Sequence, residues 1–292
     1  MRSFLFIPAD SEKKIGKALS FGADALILDL EDSVAPARKA SARPLAAAFI
    51  KEHRAKTQRP KLFVRINALD TSEWELDLAG VLASGPDGIL LPKARSAGDV
   101  SSLALALDHE EAKAGLVPGS TRILSLVTEV PVALLTLPSY LDASARLDGL
   151  TWGAEDLSAQ IGSAATREPD GRWTPPYQLA RDMCLFTAMA AGRQPIDTVY
   201  VDFRNLAGLA EESRIAARDG FTGKMAIHPD QVATINAAFT PSASEIEWAN
   251  EIIALFRDNP SSGTLALRGQ MIDRPHATRA QRILARAKLA GL

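Results

Sequence analysis

The chain has 292 residues, 47% hydrophobic and 23% charged, which excludes a disordered class and is long enough to bury one large core. Its 33 basic and 35 acidic side chains leave a formal charge of -2, so no global field recruits nucleic acid or an anionic membrane, and an anionic ligand must be met by a local cluster. The single cysteine, Cys184, rules out an intrachain disulfide, and the start MRSFLFIPAD lacks a signal peptide's apolar stretch. No apolar run could span a bilayer, so the expected location is the cytoplasm.

Short apolar runs alternate with segments of helical spacing along the chain. SFLFIP (3–8) precedes a predicted helix over Glu12–Ser20, ALILDL (25–30) one over Ala37–Arg54, and LFVRIN (62–67) one over Glu73–Ser84. GILLPK (88–93) precedes Ala97–Gly115, and ILSLVTE (123–129) precedes Val132–Ala145. GLTWGAED (149–156) leads towards Pro176–Ala191, TVYVDF (198–203) towards Leu206–Asp219, and KMAIHP (224–229) towards Asp230–Phe239. Most runs lack polar alternation, as parallel strands buried on both faces do. Eight strands with interleaved helices predict a (β/α)8 TIM barrel; an open doubly wound sheet is the alternative, disfavoured because no strand leads into a GxGxxG turn.

Chain remains after the barrel closes. Residues 241–256 read as a helix, DNPSSG (258–263) as a linker, LALRGQMID (265–273) as two short strands around Gly269, and ATRAQRILARAKLA (277–290) as a basic amphipathic helix. The expected division is a catalytic barrel over 1–240 and an appendage over 241–292 that packs on the barrel or on a neighbouring subunit.

Reactive groups of such a barrel project from the C-terminal strand ends. Those ends carry Asp29, Glu31 and Asp32, then Arg65 and Asn67, Lys93, Glu129, Glu155 and Asp156, Asp202 and Arg204, and His228. Glu129 and Asp156 end neighbouring strands, where both can reach one divalent cation. Side chains alternate along a strand, so only one of Glu155 and Asp156 is expected to face the axis, leaving Glu155 a supporting role. With no His/Cys cluster, hard oxygen ligands suit Mg²⁺ better than Zn²⁺. For a lone carboxylate, and for Asp29 to Asp32 in particular, a helix N-cap or a solvated loop charge is the competing reading. His228 before a proline is read as a structural hydrogen-bonding residue, with a catalytic base as the alternative. The four tryptophans do not interleave with basic residues, so nucleic acid is not an expected partner.

The segments RSFLFIPADSEKKIGKA, DALILDLEDSVAPARKASAR, FVRINALDT, GILLPKA, GAEDLSAQIG, GFTGKMAIHPDQVATIN and GQMIDRPH, in that order, resemble the HpcH/HpaI aldolase and citrate lyase β-subunit family, in its CoA-ester lyase branch. The resemblance implies a Mg²⁺-dependent TIM barrel that cleaves or forms a 3-hydroxyacyl thioester such as malyl-, citramalyl- or citryl-CoA, yielding acetyl-CoA and a keto acid by a retro-Claisen route. It implies Glu129 and Asp156 as metal ligands, with Glu129 also at the substrate, Arg65 at the thioester or keto-acid oxygen, and Asp273 as acid/base. It further implies a homo-oligomer, a trimer or a multiple of one, with the segment around Asp273 lent to a neighbour's site. Asp273 before Arg274-Pro275 also reads as a helix N-cap. The phosphates of CoA call for basic groups, for which Lys13, Lys14 and Arg38 are candidates and a solvated helix face the alternative. Lys93 is expected to face inward and order Glu31 or Arg65, with Asp32 nearby.

The chain departs from the family pattern at Val130-Pro131, after the fifth strand, and at Ala9, where a glycine is usual; both bear on substrate contacts. Two other readings remain: a malyl-CoA thioesterase on the same scaffold, and a citrate lyase β-type subunit acting on a carrier-bound substrate.

Overall fold

The computed structural model describes residues 1–292. Its first compact unit, Met1–Ile235, contains a closed barrel of eight parallel strands in sequence order. They are β1 (Ser3–Pro8), β2 (Ala25–Asp29), β3 (Lys61–Arg65), β4 (Gly88–Leu91), β5 (Arg122–Leu126), β6 (Leu147–Thr151), β7 (Gln194–Asp197) and β8 (Gly223–Ala226). The ring closes where β1 pairs with β8, Ser3 opposite Lys224. The expected TIM barrel is therefore the observed fold. Leu26, Ile27 and Leu28 are all fully buried, which explains the uninterrupted apolar run: inward side chains meet the barrel core and outward ones meet helices.

The interior follows the two-residue strand period. Phe4, Ala25, Ile27, Phe63, Leu90, Leu124, Leu126, Ile196 and Met225 form one cluster inside the ring. Gly88 is required there, because a Cβ at this position would lie 2.4 Å from the Phe63 ring.

The helices of the unit are α1 (Glu12–Lys17), α2 (Lys39–His53), α3 (Glu73–Val81), α4 (Ala97–Ala114), α5 (Pro131–Thr136), α6 (Glu155–Ile161), α7 (Pro175–Ala190), α8 (Leu206–Asp219) and α9 (Gln231–Phe239), which runs across the unit boundary. Local chemistry sets their ends. Ser96 caps α4 by accepting the Gly98 N–H, and Gly115 ends it at φ 65°. No helix is long and apolar enough to cross a membrane.

Two expectations are corrected. TVYVDF (198–203) is not the seventh strand; β7 is the preceding QPID, so Asp202 and Arg204 stand in the loop before α8 rather than at a strand end. Ring closure selects the segment that pairs with both β6 and β8, overriding the stronger β-propensity of the loop. Likewise β6 stops at Thr151, and Glu155 and Asp156 open α6, so strand alternation does not govern which of them points inward.

The second unit, Asn236–Leu292, has its own core. Helices α10 (Ala243–Asp258) and α11 (Arg274–Leu289) bury Ala249, Ile252, Ala280 and Ile283 together with Ile272 of a hairpin. That hairpin pairs β9 (Thr264–Leu267) with β10 (Gln270–Asp273). Its two-residue turn, Arg268 at φ 51° and Gly269 at φ 77°, has the left-handed geometry that matches strand twist.

Candidate active site

Asp29 and Arg65 continue the inward rows of β2 and β3 by one more step and are partners in the parallel register. Their side chains therefore meet. Arg65 Nε and Nη2 donate to Asp29 Oδ1 and Oδ2, both at 2.7 Å, a bidentate pair in which Asp29 is buried and Arg65 largely so. Burial alone would raise the Asp29 pKa, but the guanidinium holds it below the usual carboxylate range. Arg65 also lies over the Phe6 ring at 4.8 Å and places Nη1 2.9 Å from Glu31 Oε2.

Lys93 follows β4 with a left-handed backbone, φ 51°. Its N–H donates to Glu129 Oε2 at 2.6 Å. Its ammonium lies 2.5 Å from Glu31, 3.4 Å from Asp32 and 3.4 Å from Asp156. Glu129, just past β5, is 4% exposed, and burial, reinforced by the charges of Glu31 and Asp156, pushes its carboxyl up to about 8. Burial likewise raises Glu31 to about 7, against the pull of Arg65 and Lys93. Gly153 leaves space for Glu129: a Cβ there would stand 3.0 Å from Glu129 Cγ and 3.3 Å from Oε1.

Asp29, Arg65, Glu129 and Gly153 border a cavity of about 270 Å³ at the C-terminal mouth of the barrel. Arg65, Glu129, Glu155, Asp156, Asp29 and Asp32 contribute its polar lining. Phe6, Leu126, Trp152, Val199 and Met225 contribute apolar surface. The Trp152 indole N–H donates to Asp197 at 2.8 Å, Asp197 takes the buried Lys224 ammonium at 2.6 Å, and Trp173 packs edge-on against Trp152 at 4.9 Å. That wall is rigid.

Of the residues singled out in the sequence, the structure gathers Arg65, Glu129, Asp156, Glu155 and Asp32 around one cavity, with Glu31 paired to Arg65 and Lys93, and Lys93 to Asp156, beside it. Glu155 and Asp156 both line it. Lys13 and Lys14 are exposed on α1, and Arg38 is paired with Asp10 at 3.1 Å in a separate surface cleft with Ser11, Glu12, Ser41 and Leu45. His228 accepts the Asp230 N–H at 3.3 Å and stacks on Phe203. Asp273, in the second unit, is the N-cap residue of α11, with its Oδ1 2.5 Å from His276 Nδ1. The strand-end reading named Asp29 but not its pairing with Arg65, which the period-two row through Ala25 and Ile27 foreshadows; it passed over Trp152 and Gly153, which nothing local marks.

No set of three or more His, Cys, Asp and Glu side chains forms a closed metal cage. The donor chemistry nevertheless fits magnesium. Five carboxylates, Asp29, Glu31, Asp32, Glu129 and Asp156, share two cations, and the buried Glu129 accepts only one hydrogen bond. Two carboxylates with positions left for water and substrate oxygens is the usual Mg²⁺ arrangement.

Residues 2–229 match the family described as HpcH/HpaI aldolase/citrate lyase, and residues 180–292 match one described as a C-C bond lyase of the TIM-barrel fold. The chain is 36% identical to the mitochondrial citramalyl-CoA lyase of Mus musculus, over 98% of its own length and 86% of the mouse protein. It is 34% identical to the citrate lyase subunit beta of Escherichia coli K12, over 100% and 94% of the two lengths. Among solved structures, CitE of Mycobacterium tuberculosis in complex with magnesium, acetoacetate and coenzyme A superposes with a TM-score of 0.77 at 33% identity, covering 98% of each chain.

Proposed function

The chain belongs to the HpcH/HpaI aldolase/citrate lyase family, and from that premise we infer its chemistry: it is a magnesium-dependent carbon–carbon lyase acting on a CoA thioester. The observation that carries the site assignment is geometric: Glu129, a buried carboxylate at the barrel mouth that accepts one hydrogen bond, lines the same cavity as Asp156. Glu129 and Asp156 are the proposed magnesium ligands. Held by Glu129 and Asp156, magnesium would supply Lewis-acid polarisation of a substrate oxygen.

The remaining work falls to the chain's own groups. In the cleavage direction the hydroxyl gives its proton to solvent water, the bond from its carbon to the thioester α-carbon breaks, the hydroxyl-bearing carbon becomes the keto acid's carbonyl, and the electron pair of the broken bond passes to the thioester as an enolate. Arg65, two of whose five N–H donors are held by Asp29, keeps others for the enolate oxygen and stays charged throughout. Asp273 supplies the proton that completes acetyl-CoA, or removes it in synthesis. In this reading residues 236–292 serve a neighbouring barrel in a cytoplasmic homotrimer; Lys13, Lys14 and Arg38 contact the CoA phosphates.

For the keto acid we propose a small apolar substituent, as in citramalyl-CoA, which gives pyruvate. Phe6, Leu126, Val199 and Met225 line the cavity, and the cations of the cluster already face carboxylates, leaving none to receive the extra carboxylate of a citryl group. Incubation with Mg²⁺ and malyl-, citramalyl- or citryl-CoA, with products identified by mass spectrometry, tests this. Acetyl-CoA with pyruvate is expected. Free CoA with intact hydroxy acid would indicate the thioesterase, and turnover only of a carrier-bound substrate would indicate the β-type subunit.

A further inference from the structure

Lys93 is where a strained backbone and a concentration of charge coincide. At φ 51° a lysine stands in the left-handed region that favours glycine, a conformation that costs free energy and persists only where surrounding contacts enforce it. Glycine would relax the turn and leave the main-chain N–H on Glu129 unchanged. What glycine would lack is the ammonium. That group reaches three carboxylates, Glu31 at 2.5 Å and Asp32 and Asp156 at 3.4 Å, so Lys93 as a whole touches four of the five acidic groups in the cluster.

We propose that Lys93 is a positioning residue that stands in for the metal: its ammonium balances Asp156 in the metal-free protein and yields it to the incoming cation, while it retains Glu31 and Asp32 so that they do not capture that cation. The inference rests on Glu129 and Asp156 being the magnesium ligands. It goes further, because it makes metal uptake an exchange of one cation for another. The two carboxylates nearest the ammonium after that exchange, Glu31 and Asp32, belong to the β2–α2 loop. The proposed ligands lie after β5 and at the start of α6. Lys93, between β4 and α4, is placed to divide one acidic cluster into two groups with different partners.

The exchange predicts an inverse relation that a merely structural lysine would not produce. Lys93→Met keeps the unbranched stem, one atom shorter, and removes the charge. Isothermal titration with Mg²⁺ should show tighter binding than wild type by about tenfold or more, because nothing has to be displaced, since a unit charge a few ångströms away easily carries that much. Metal-free Lys93→Met should melt at a lower temperature than wild type and gain more on adding Mg²⁺. Its kcat should nonetheless fall, because Glu31 and Asp32 are then free to draw the cation out of place. Lys93→Gly removes the same charge in a backbone conformation natural to glycine, and serves the same test if the methionine variant does not fold. An unchanged or weaker Mg²⁺ affinity in a folded Lys93 variant, with wild type binding normally, overturns the exchange and leaves the ligand assignment standing. A wild-type protein that takes up no Mg²⁺ defeats both.

Discussion

Replacing Glu129 by glutamine tests the physical basis of the site most directly. Glutamine keeps the shape and can still accept the Lys93 N–H through its side-chain oxygen, but it cannot ionise. In the folded protein the Glu129 carboxyl is raised from 4.5 to about 8, which amounts to a penalty on the order of 5 kcal/mol against the charged form. The folded state then binds more protons than the unfolded state between those two values, so stability falls as pH rises. This contribution is fully present below about pH 4.5 and is lost as pH rises through about 8, with a slope of at most about 1.4 kcal/mol per pH unit. Urea denaturation in EDTA, repeated from pH 5 to pH 9, should therefore show Glu129→Gln gaining on wild type steadily, by several kcal/mol at the alkaline end. Adding Mg²⁺ at pH 8 should stabilise wild type, which releases a proton on binding, and leave the glutamine variant where it was. Parallel pH profiles for the two metal-free proteins would refute the reading, since Glu129 would then carry no buried-charge penalty. Equal stabilisation of both by Mg²⁺ would refute its place as a ligand.

Two further substitutions probe neighbouring parts of the site. Gly153→Ala introduces a Cβ 3.0 Å from Glu129 Cγ; we expect a folded protein whose Mg²⁺ affinity by calorimetry is reduced about tenfold, roughly 1.4 kcal/mol, and an unchanged affinity would mean that the Glu129 rotamer is immaterial. Asp273→Asn keeps an N-cap as good as aspartate, so the melting temperature should barely move, while kcat and the exchange of acetyl-CoA α-protons with solvent fall by about 100-fold or more. Loss of stability with the rate retained would make Asp273 a helix cap and nothing else.

The residues that turned out to cluster were written at strand ends, and a strand-end inventory was enough to name Arg65, Lys93, Glu129 and Asp156 together. Asp29 shows where such an inventory stops. Its partnership with Arg65 depends on the β2–β3 register, which no segment specifies by itself. Glu155 and Asp156 show the opposite error: they were placed on a strand, and the structure puts them in a helical first turn, where both reach the cavity.

By itself the sequence determined the number of barrel strands and their alternation with helices, and the character of the tail. Uninterrupted Leu, Ile and Val runs can be buried on two faces only in a parallel sheet covered by helices, and a left-handed Arg268-Gly269 pair between short apolar stretches closes a hairpin. Tertiary structure alone decided that QPID rather than TVYVDF completes the ring, that Trp152 is wired through Asp197 to Lys224, and that one lysine gathers four carboxylates. It also decided the protonation of Glu129. Strand propensity and residue type are local properties, whereas ring closure, burial and the field of neighbouring charges are set by groups from remote parts of the chain, and those exist only once the barrel has closed.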